Sequence, residues 1–364
     1  MEPYKPEKLP PKSIDGGAHT ELSLTAGMAL GEYKGILRGV INPFLLLVPL
    51  NYKEAVLSSR IEGTQTTVEE VMRFEIDAEN IIETESQKNS QEVVNYCKAM
   101  AKGVELLADK PLCINIIREL HRILLTSVRG EDKDPGEIRK AQNWIGPSGC
   151  SQEEASFLPP EPFRVMDDLS DWENYIHKEE SNILVQLAVI KAQFELIHPF
   201  RDGNGRIGRM LVPLILYNKK ILPTPCFYIS AYLEKHDDIY RKQLSAISQE
   251  KDWDGWISFF LKAMIEQARE NNEEVNSIIK LNTDIRRDVP KILNSRYSPQ
   301  VIDTMFSSPL FNKNQFCKAS GIPKESLRWI FQKLEENEII AIYSEAKGSR
   351  GTTYMFPKLL EIIK

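Results

Sequence analysis

Residues 182–220, NILVQLAVIKAQFELIHPFRDGNGRIGRMLVPLILYNKK, set two apolar runs on either side of a short polar segment. The first run, NILVQLAVIKAQFELI, is apolar nearly all round a helical wheel, which predicts a helix buried in the middle of a bundle. The second, GRMLVPLILYNKK, predicts another very apolar helix. Between them HPFRDGNGRIGR, residues 198–209, holds a histidine, an aspartate, an asparagine, three glycines and three arginines in twelve positions.

Outward from this pair the pattern stays mainly α. Residues 1 to about 20 read as an irregular arm, and residues about 21 to 50 as mixed, with the proline-punctuated patch NPFLLLVPL. YKEAVLSSRIEG predicts a helix from near Asn51 that Gly63 ends. TVEEVMRFEI, SQEVVNYCKAMAKGVELLAD and CINIIRELHRILLTSV predict three more. Residues 130–162 are rich in glycine and proline and form a long loop, a kind that is usually functional or disordered. FRVMDDLSDWENYIHKE is an amphipathic helix, and residues about 233 to 288 return to helix. From about residue 297 three short helices and a hairpin follow, the pattern of a winged helix-turn-helix with Gly321 in the turn and KGSRG at the wing tip.

Bulk properties narrow the class. The chain has 364 residues, 42% hydrophobic and 27% charged, enough for two or three soluble domains. Its net charge of −6 argues against a protein that mainly coats nucleic acid. Five scattered cysteines without a CxxC pair fit reduced thiols in a cytosol better than a disulfide frame or a zinc site. The first residues, MEPYKPEKLPPKS, lack the apolar core of a signal peptide, and the longest apolar runs fall well short of the roughly 20 residues that span a bilayer. These features predict a cytoplasmic protein with no membrane partner.

The polar segment is legible as chemistry. Gly203 and Gly205 flank Asn204 just before an apolar helix, so backbone N–H groups can approach a ligand closely at a helix amino end, where the dipole favours an anion. Arg206 and Arg209 lie three apart on the first turn, and two guanidinium forks beside an anion nest suit a polyphosphate. Asp202 would repel phosphate unless a cation bridged them, and Mg²⁺ held by one carboxylate and phosphate oxygens is the usual arrangement. His198, at the exit of the buried helix, is a titratable base nearby. The parts are those for attack by a hydroxyl on a metal-bound nucleotide. Pro199 and Phe200 are read as a rigid turn and a core plug.

HPFRDGNGRIGR resembles, at every position, the HxFx(D/E)GNGRxxR signature of the Fic family, and the likeness extends over roughly residues 20–265. The resemblance implies a Fic-type helical bundle with a small β-hairpin flap, ATP as substrate, and transfer of AMP to a Tyr, Ser or Thr hydroxyl. By position, His198 would be the general base and Asp202 the Mg²⁺ ligand. Gly203, Asn204 and Gly205 would cradle the α- and β-phosphates and Arg206 and Arg209 clamp the β- and γ-phosphates, with Ile207 and Gly208 in the same nucleotide-binding segment. Relatives with lysine at the position of Gly205 phosphorylate instead. SSRIEG matches the family's inhibitory pattern (S/T)xxxE(G/N) at Ser58, Glu62 and Gly63, which implies that Glu62 pairs with Arg209 and takes the place of the γ-phosphate.

Residues 130–162 resemble the family's target-docking flap, which pairs with extended target backbone. Ala155, Ser156, Phe157 and Leu158 are its candidate nucleotide-facing edge. Tyr240 in HDDIYRKQL is the candidate for the adenine side, with core packing as the alternative. His19, His121, His177 and His236 show no metal spacing and read as structural, and Trp253, Trp256, Phe259 and Phe260 as a core stripe. The expected division is an arm and helical region carrying the inhibitory helix (1–110), a catalytic core (111–265), a helical linker (266–296) and the winged-helix domain (297–364). In the last, nine Lys/Arg against seven Asp/Glu give a weak footprint for DNA, so docking to protein or a homodimer is the nearer reading. The alternatives are an enzyme that removes AMP or uses another nucleotide, and a DNA-binding regulator with a Fic domain.

Overall fold

The computed structural model describes residues 2–15, 17–76, 84–147, 149–346 and 351–364. An irregular arm leads into α1 (Thr20–Gly39), α2 (Pro43–Leu46), α3 (Val48–Ile61), α4 (Val68–Ile76), α5 (Glu85–Leu107) and α6 (Ile114–Leu124). A long connection ending in a 3-10 turn at Pro162–Arg164 reaches α7 (Val165–His177), α8 (Ile183–Ile197) and α9 (Asn204–Asn218). Then come α10 (Ser230–Lys235), α11 (Asp237–Glu250) and α12 (Trp253–Leu293). The chain closes with α13 (Ser298–Ser307), β1 (Leu310–Asn312), α14 (Lys313–Ser320), α15 (Lys324–Glu336), β2 (Ala341–Ser344), β3 (Thr353–Met355) and α16 (Pro357–Ile363).

The first apolar run is the central helix. From Leu184 to Ile197 every residue of α8 except Val185 is buried, against α7, α9 and α12. Asn182 starts it by accepting from the amides of Leu184 and Val185, both at 3.2 Å. Two tryptophans fix its flanks: Trp172 of α7 donates to the Ile190 carbonyl and Trp256 of α12 to that of Ala188, each at 2.8 Å. The second run is α9, buried from Arg206 through Leu216. Trp253, Phe259 and Phe260 join Trp256 in the core, as the sequence pattern suggests.

Two expectations are corrected, and one boundary falls within a helix. Residues 20–39, read as mixed, are the 20-residue helix α1. Its glycines at 27, 31, 35 and 39 lower the intrinsic helix signal, but Ala26, Ala29, Leu30, Tyr33 and Leu37 form a buried stripe against α12, and that packing decides. The boundary expected between residues 265 and 266 falls inside α12, a continuous helix of 41 residues, and residues 266–293 of the expected helical linker are its second part. Among its described residues the flap shows one isolated antiparallel bridge, Ile145 with Phe157, in place of the expected hairpin. Pro147, Pro159 and Pro160 lack the N–H that would extend the ladder.

In the C-terminal region β1, β3 and β2 form one antiparallel sheet in that order, so the expected hairpin has gained a third strand. Phe311, Phe316, Phe331 and Tyr354 form one aromatic cluster, in which Phe331 meets the other three rings edge to face. Gly321 ends α14 at φ 68°, a left-handed conformation that glycine adopts without strain. Of the expected wing tip, residues 347–350 lie outside the described residues. The region packs on α2, α3 and α4 as well as on α12. Among the described residues no helix is long and apolar enough to cross a membrane.

Candidate active site

The site grows from the turn between α8 and α9. His198 ends α8 in the left-handed region, φ 49°, which turns the chain sharply away from the helix axis. Asn204 closes the loop: its Oδ1 accepts from the Phe200 amide at 2.9 Å and its Nδ2 donates to the Phe200 carbonyl at 2.8 Å. The Asn204 side chain is thus spent on the loop. Phe200 stacks on the His121 ring, centroids 3.8 Å apart. His121 Nδ1 accepts from the Gly136 amide at 2.7 Å, so its Nε2 carries the proton and donates to the Asp202 carbonyl at 2.9 Å. Burial pushes its pKa down to about 4, which keeps the ring neutral. The structural role expected of His121 therefore includes anchoring the candidate metal ligand. Gly203 precedes α9 at φ 76°.

Charges gather at the amino end of α9. Asp202 Oδ1 accepts from the Gly203 amide and lies 3.4 Å from the Arg206 guanidinium. Arg206 is fully buried and also meets Glu92 of α5 at 3.3 Å. Glu92 in turn accepts from Thr64 at 2.7 Å and lies 3.6 Å from Arg129. In this state Arg206 is held by two carboxylates. Among the described residues no group of three His, Cys, Asp or Glu is placed to hold a metal by itself.

Arg209 is held by the end of α3. Its Nε donates to Ser58 Oγ at 2.8 Å, and its Nη2 to both the Ser58 carbonyl and Glu62 Oε1, each at 2.7 Å. Gly63, at φ 90°, turns the chain immediately after Glu62. Burial works to raise the Glu62 pKa, but the Arg209 charge outweighs it and the carboxyl lies below its usual range. Ser58, Glu62, Gly63 and Arg209 are thus brought together as the sequence pattern implied.

His198 Nδ1 lies 3.3 Å from the Glu195 carbonyl; a proton there leaves Nε2 as an acceptor. Burial holds the imidazole below its usual pKa, so it is neutral near pH 7. The flap is fastened to this turn by Arg139, which the sequence reading did not single out. Arg139 donates to the carbonyls of His198 at 2.8 Å, Pro160 at 2.6 Å and Ile197 at 3.3 Å, and its own amide to that of Pro199 at 2.9 Å. Asn143 adds a bond to the Phe200 carbonyl at 3.1 Å. Ser156 and Phe157 bond Ile145, Ala155 is buried, and the Leu158 carbonyl accepts from the Tyr4 amide at 2.8 Å.

Other predicted residues turn into the core. Ile207 is fully buried, and a Cβ at Gly208 would lie 2.8 Å from Glu195 Oε1. Tyr240 is 4% exposed, with its hydroxyl between Lys191 at 2.8 Å and Glu195 at 2.6 Å. Glu92, Arg139, Lys191 and Glu195 carried no sequence signal, because a buried charge is recognisable only once its partner is placed.

Comparison with known proteins adds to this geometry. A model of the Fic/DOC family N-terminal region matches residues 20–105 and one of the Fic/DOC family matches residues 111–216. Together they take in more than half of the chain. A protein adenylyltransferase of Caenorhabditis briggsae is 29% identical over 115 residues, 31% of this chain and 20% of the relative. A probable protein adenylyltransferase of Aquifex aeolicus is 39% identical over 69 residues, 19% of this chain and 22% of the relative. One from Drosophila grimshawi is 29% identical over 161 residues, 43% of this chain and 31% of the relative. The chain spans about a fifth to a third of the length of these curated relatives. A solved Fic family protein from Desulfovibrio desulfuricans G20 superposes with a TM-score of 0.60 at 21% identity, covering 95% of this chain and 98% of that one. A Fic domain containing signaling protein from Bacteroides thetaiotaomicron gives 0.54 at 17% identity, covering 69% and 97%. At such identities the likeness shows the fold alone.

Proposed function

The chain belongs to the Fic/DOC family, and on that basis we propose that it transfers AMP from ATP to a hydroxyl side chain, Tyr, Ser or Thr, of a target protein or of itself. The observation that carries this reading is the turn at His198: a neutral imidazole with its Nδ1 at a backbone carbonyl, directly before a glycine-flanked helix amino end. His198 Nε2 takes the proton of the attacking hydroxyl. The hydroxyl oxygen bonds to the α-phosphorus, the bond from that phosphorus to the oxygen bridging to the β-phosphate breaks, and pyrophosphate leaves. The backbone amides that open α9 bind phosphate oxygens. Asp202, its carbonyl held by His121 and its carboxylate by the Gly203 amide, would offer one carboxylate to Mg²⁺. When bound, that ion neutralises phosphate charge.

Glu62 on Arg209 keeps the enzyme low in this reading, because a guanidinium engaged by Ser58 and Glu62 does not bind a γ-phosphate. The flap at residues 130–162, fastened by Arg139, is where a target docks. The C-terminal region reads as a winged helix that docks protein or a second copy, on the support of its four helices, α13 to α16, and three-stranded sheet; its net charge of +2 favours DNA less. A cytoplasmic setting fits five free cysteines.

The test incubates wild type, Glu62→Gly and Glu62→Gly/His198→Ala with Mg²⁺ and α-labelled ATP, followed by intact-mass measurement. The expected result is a gain of AMP mass in Glu62→Gly that the double variant lacks. Absence of label from Glu62→Gly, with or without added candidate targets, overturns the reading.

A further inference from the structure

One polar contact outside the catalytic turn has no role in the mechanism above. Phe157 exchanges both backbone hydrogen bonds with Ile145, at 3.1 Å and 2.9 Å. Alternation along an antiparallel pair then turns the next residue, Leu158, to the opposite edge. The Leu158 carbonyl on that edge accepts from the Tyr4 amide at 2.8 Å. The Tyr4 ring lies 5.8 Å from the Phe157 ring, and burial raises the Tyr4 phenol above its usual pKa. The segment that delivers Tyr4 is pinned along its length. Glu7 pairs with Lys251 at 2.9 Å, Lys8 with Asp171 at 3.3 Å, and the Leu9 amide donates to Asp171 at 3.0 Å. Pro3, Pro6, Pro10 and Pro11 limit its conformational freedom, so little entropy is lost when it lies extended.

We propose that the outer edge of the flap at Leu158 is a docking site for an extended, proline-rich segment bearing an aromatic residue, and that residues 3–9 of this chain occupy it as an internal strand addition. A target backbone that pairs with this edge has to displace the arm first. The inference rests on the reading of the flap as the target-docking element. What it adds is that the edge is already filled, and by what. The arm meets the edge through one backbone bond and one ring, while ion pairs tether it further along. Its tip can therefore leave while the remainder stays attached.

The probe is a fluorescein-labelled peptide of residues 2–12, EPYKPEKLPPK, followed by fluorescence anisotropy on the full-length protein. Tyr4→Pro in the protein removes both the amide donor and the ring and so opens the edge. The peptide is expected to bind the Tyr4→Pro protein at least tenfold more tightly than wild type, and the same peptide carrying Tyr4→Pro is expected not to bind. In wild type, hydrogen exchange at the Tyr4 amide is expected to be at least tenfold slower than in the free peptide. Equal peptide binding to both proteins, no saturable binding to Tyr4→Pro, or an unprotected Tyr4 amide overturns the proposal. Neither measurement depends on AMP transfer. A protein that binds the peptide and transfers nothing therefore contradicts the catalytic reading and leaves this one standing.

Discussion

A Cβ placed on Gly205 would lie 2.1 Å from Oε1 of Glu62. The glycine is therefore what lets the end of α3 rest on the first turn of α9, where Glu62 reaches Arg209 at 2.7 Å. The obstructing atom is the far end of a flexible side chain, so the carboxylate gives way rather than the backbone. Gly205→Ala is expected to loosen the pair and raise self-modification with α-labelled ATP several-fold. In a Glu62→Gly background the same change should bring no further rise. A rise of equal size in both backgrounds would show that Gly205 acts on the nucleotide and not through Glu62.

The Glu62–Arg209 pair has a defined pH behaviour. Arg209 holds the Glu62 carboxyl below its usual range, so the pair's contribution is present above the unfolded pKa and is lost as pH falls through the lower folded value. The ratio of ATP affinities of Glu62→Gln and wild type is expected to stay constant from pH 8 to pH 6. A ratio that shrinks over that interval, measured by titration calorimetry, contradicts the assignment.

Arg139 is 3% exposed and serves four carbonyls across the flap stem and the His198 turn. Arg139→Met fills similar space but leaves those acceptors without their donor. A single buried acceptor left unpaired costs about 1–3 kcal/mol. The variant is expected to lose at least that much in urea unfolding and to exchange flap amides at residues 156–158 faster. An unchanged unfolding midpoint would mean that water takes over the carbonyls.

Glu54, two turns before Glu62 on α3, is buried and accepts from Ser230 Oγ at 2.6 Å and from the Ser230 amide at 3.0 Å. Burial raises its pKa to about 7 despite those bonds. A carboxyl with a raised folded pKa favours the fold fully below its unfolded pKa, and that contribution is lost as pH rises through about 7. Wild type is expected to lose on the order of 3 kcal/mol of stability from this group between pH 4.5 and 7.5. Glu54→Gln should remove that part of the pH dependence. Parallel stability curves for the two proteins would refute it.

Much of the site was legible because the residues that build the turn lie within twelve positions of one another. Asp202, Gly203 and Gly205 have meanings set by local backbone, and local backbone follows from neighbours in sequence. The contact of Glu62 with Arg209 was legible through the resemblance of SSRIEG to a known family's pattern. Asn204 also ties the loop through its side chain, and the burial of Tyr240 depends on Lys191 and Glu195 converging on its hydroxyl. The α1 helix was obscured by glycine content, whereas its stripe of buried side chains has helical spacing.

The sequence by itself determined a mainly helical fold around two buried apolar helices, and the chemistry of the turn that joins them. Periodicity and short-range residue types carry both kinds of information. Only the tertiary structure decided the partners of the other buried arginines. Arg206 and Glu92 meet across 114 positions, and Arg139 reaches the His198 carbonyl across 59. A buried charge is tolerable only with its partner in place, and the partner is chosen by how the helices pack. The same holds at the flap, where packing of the arm brought Tyr4 to Leu158 and filled an edge that composition alone left open.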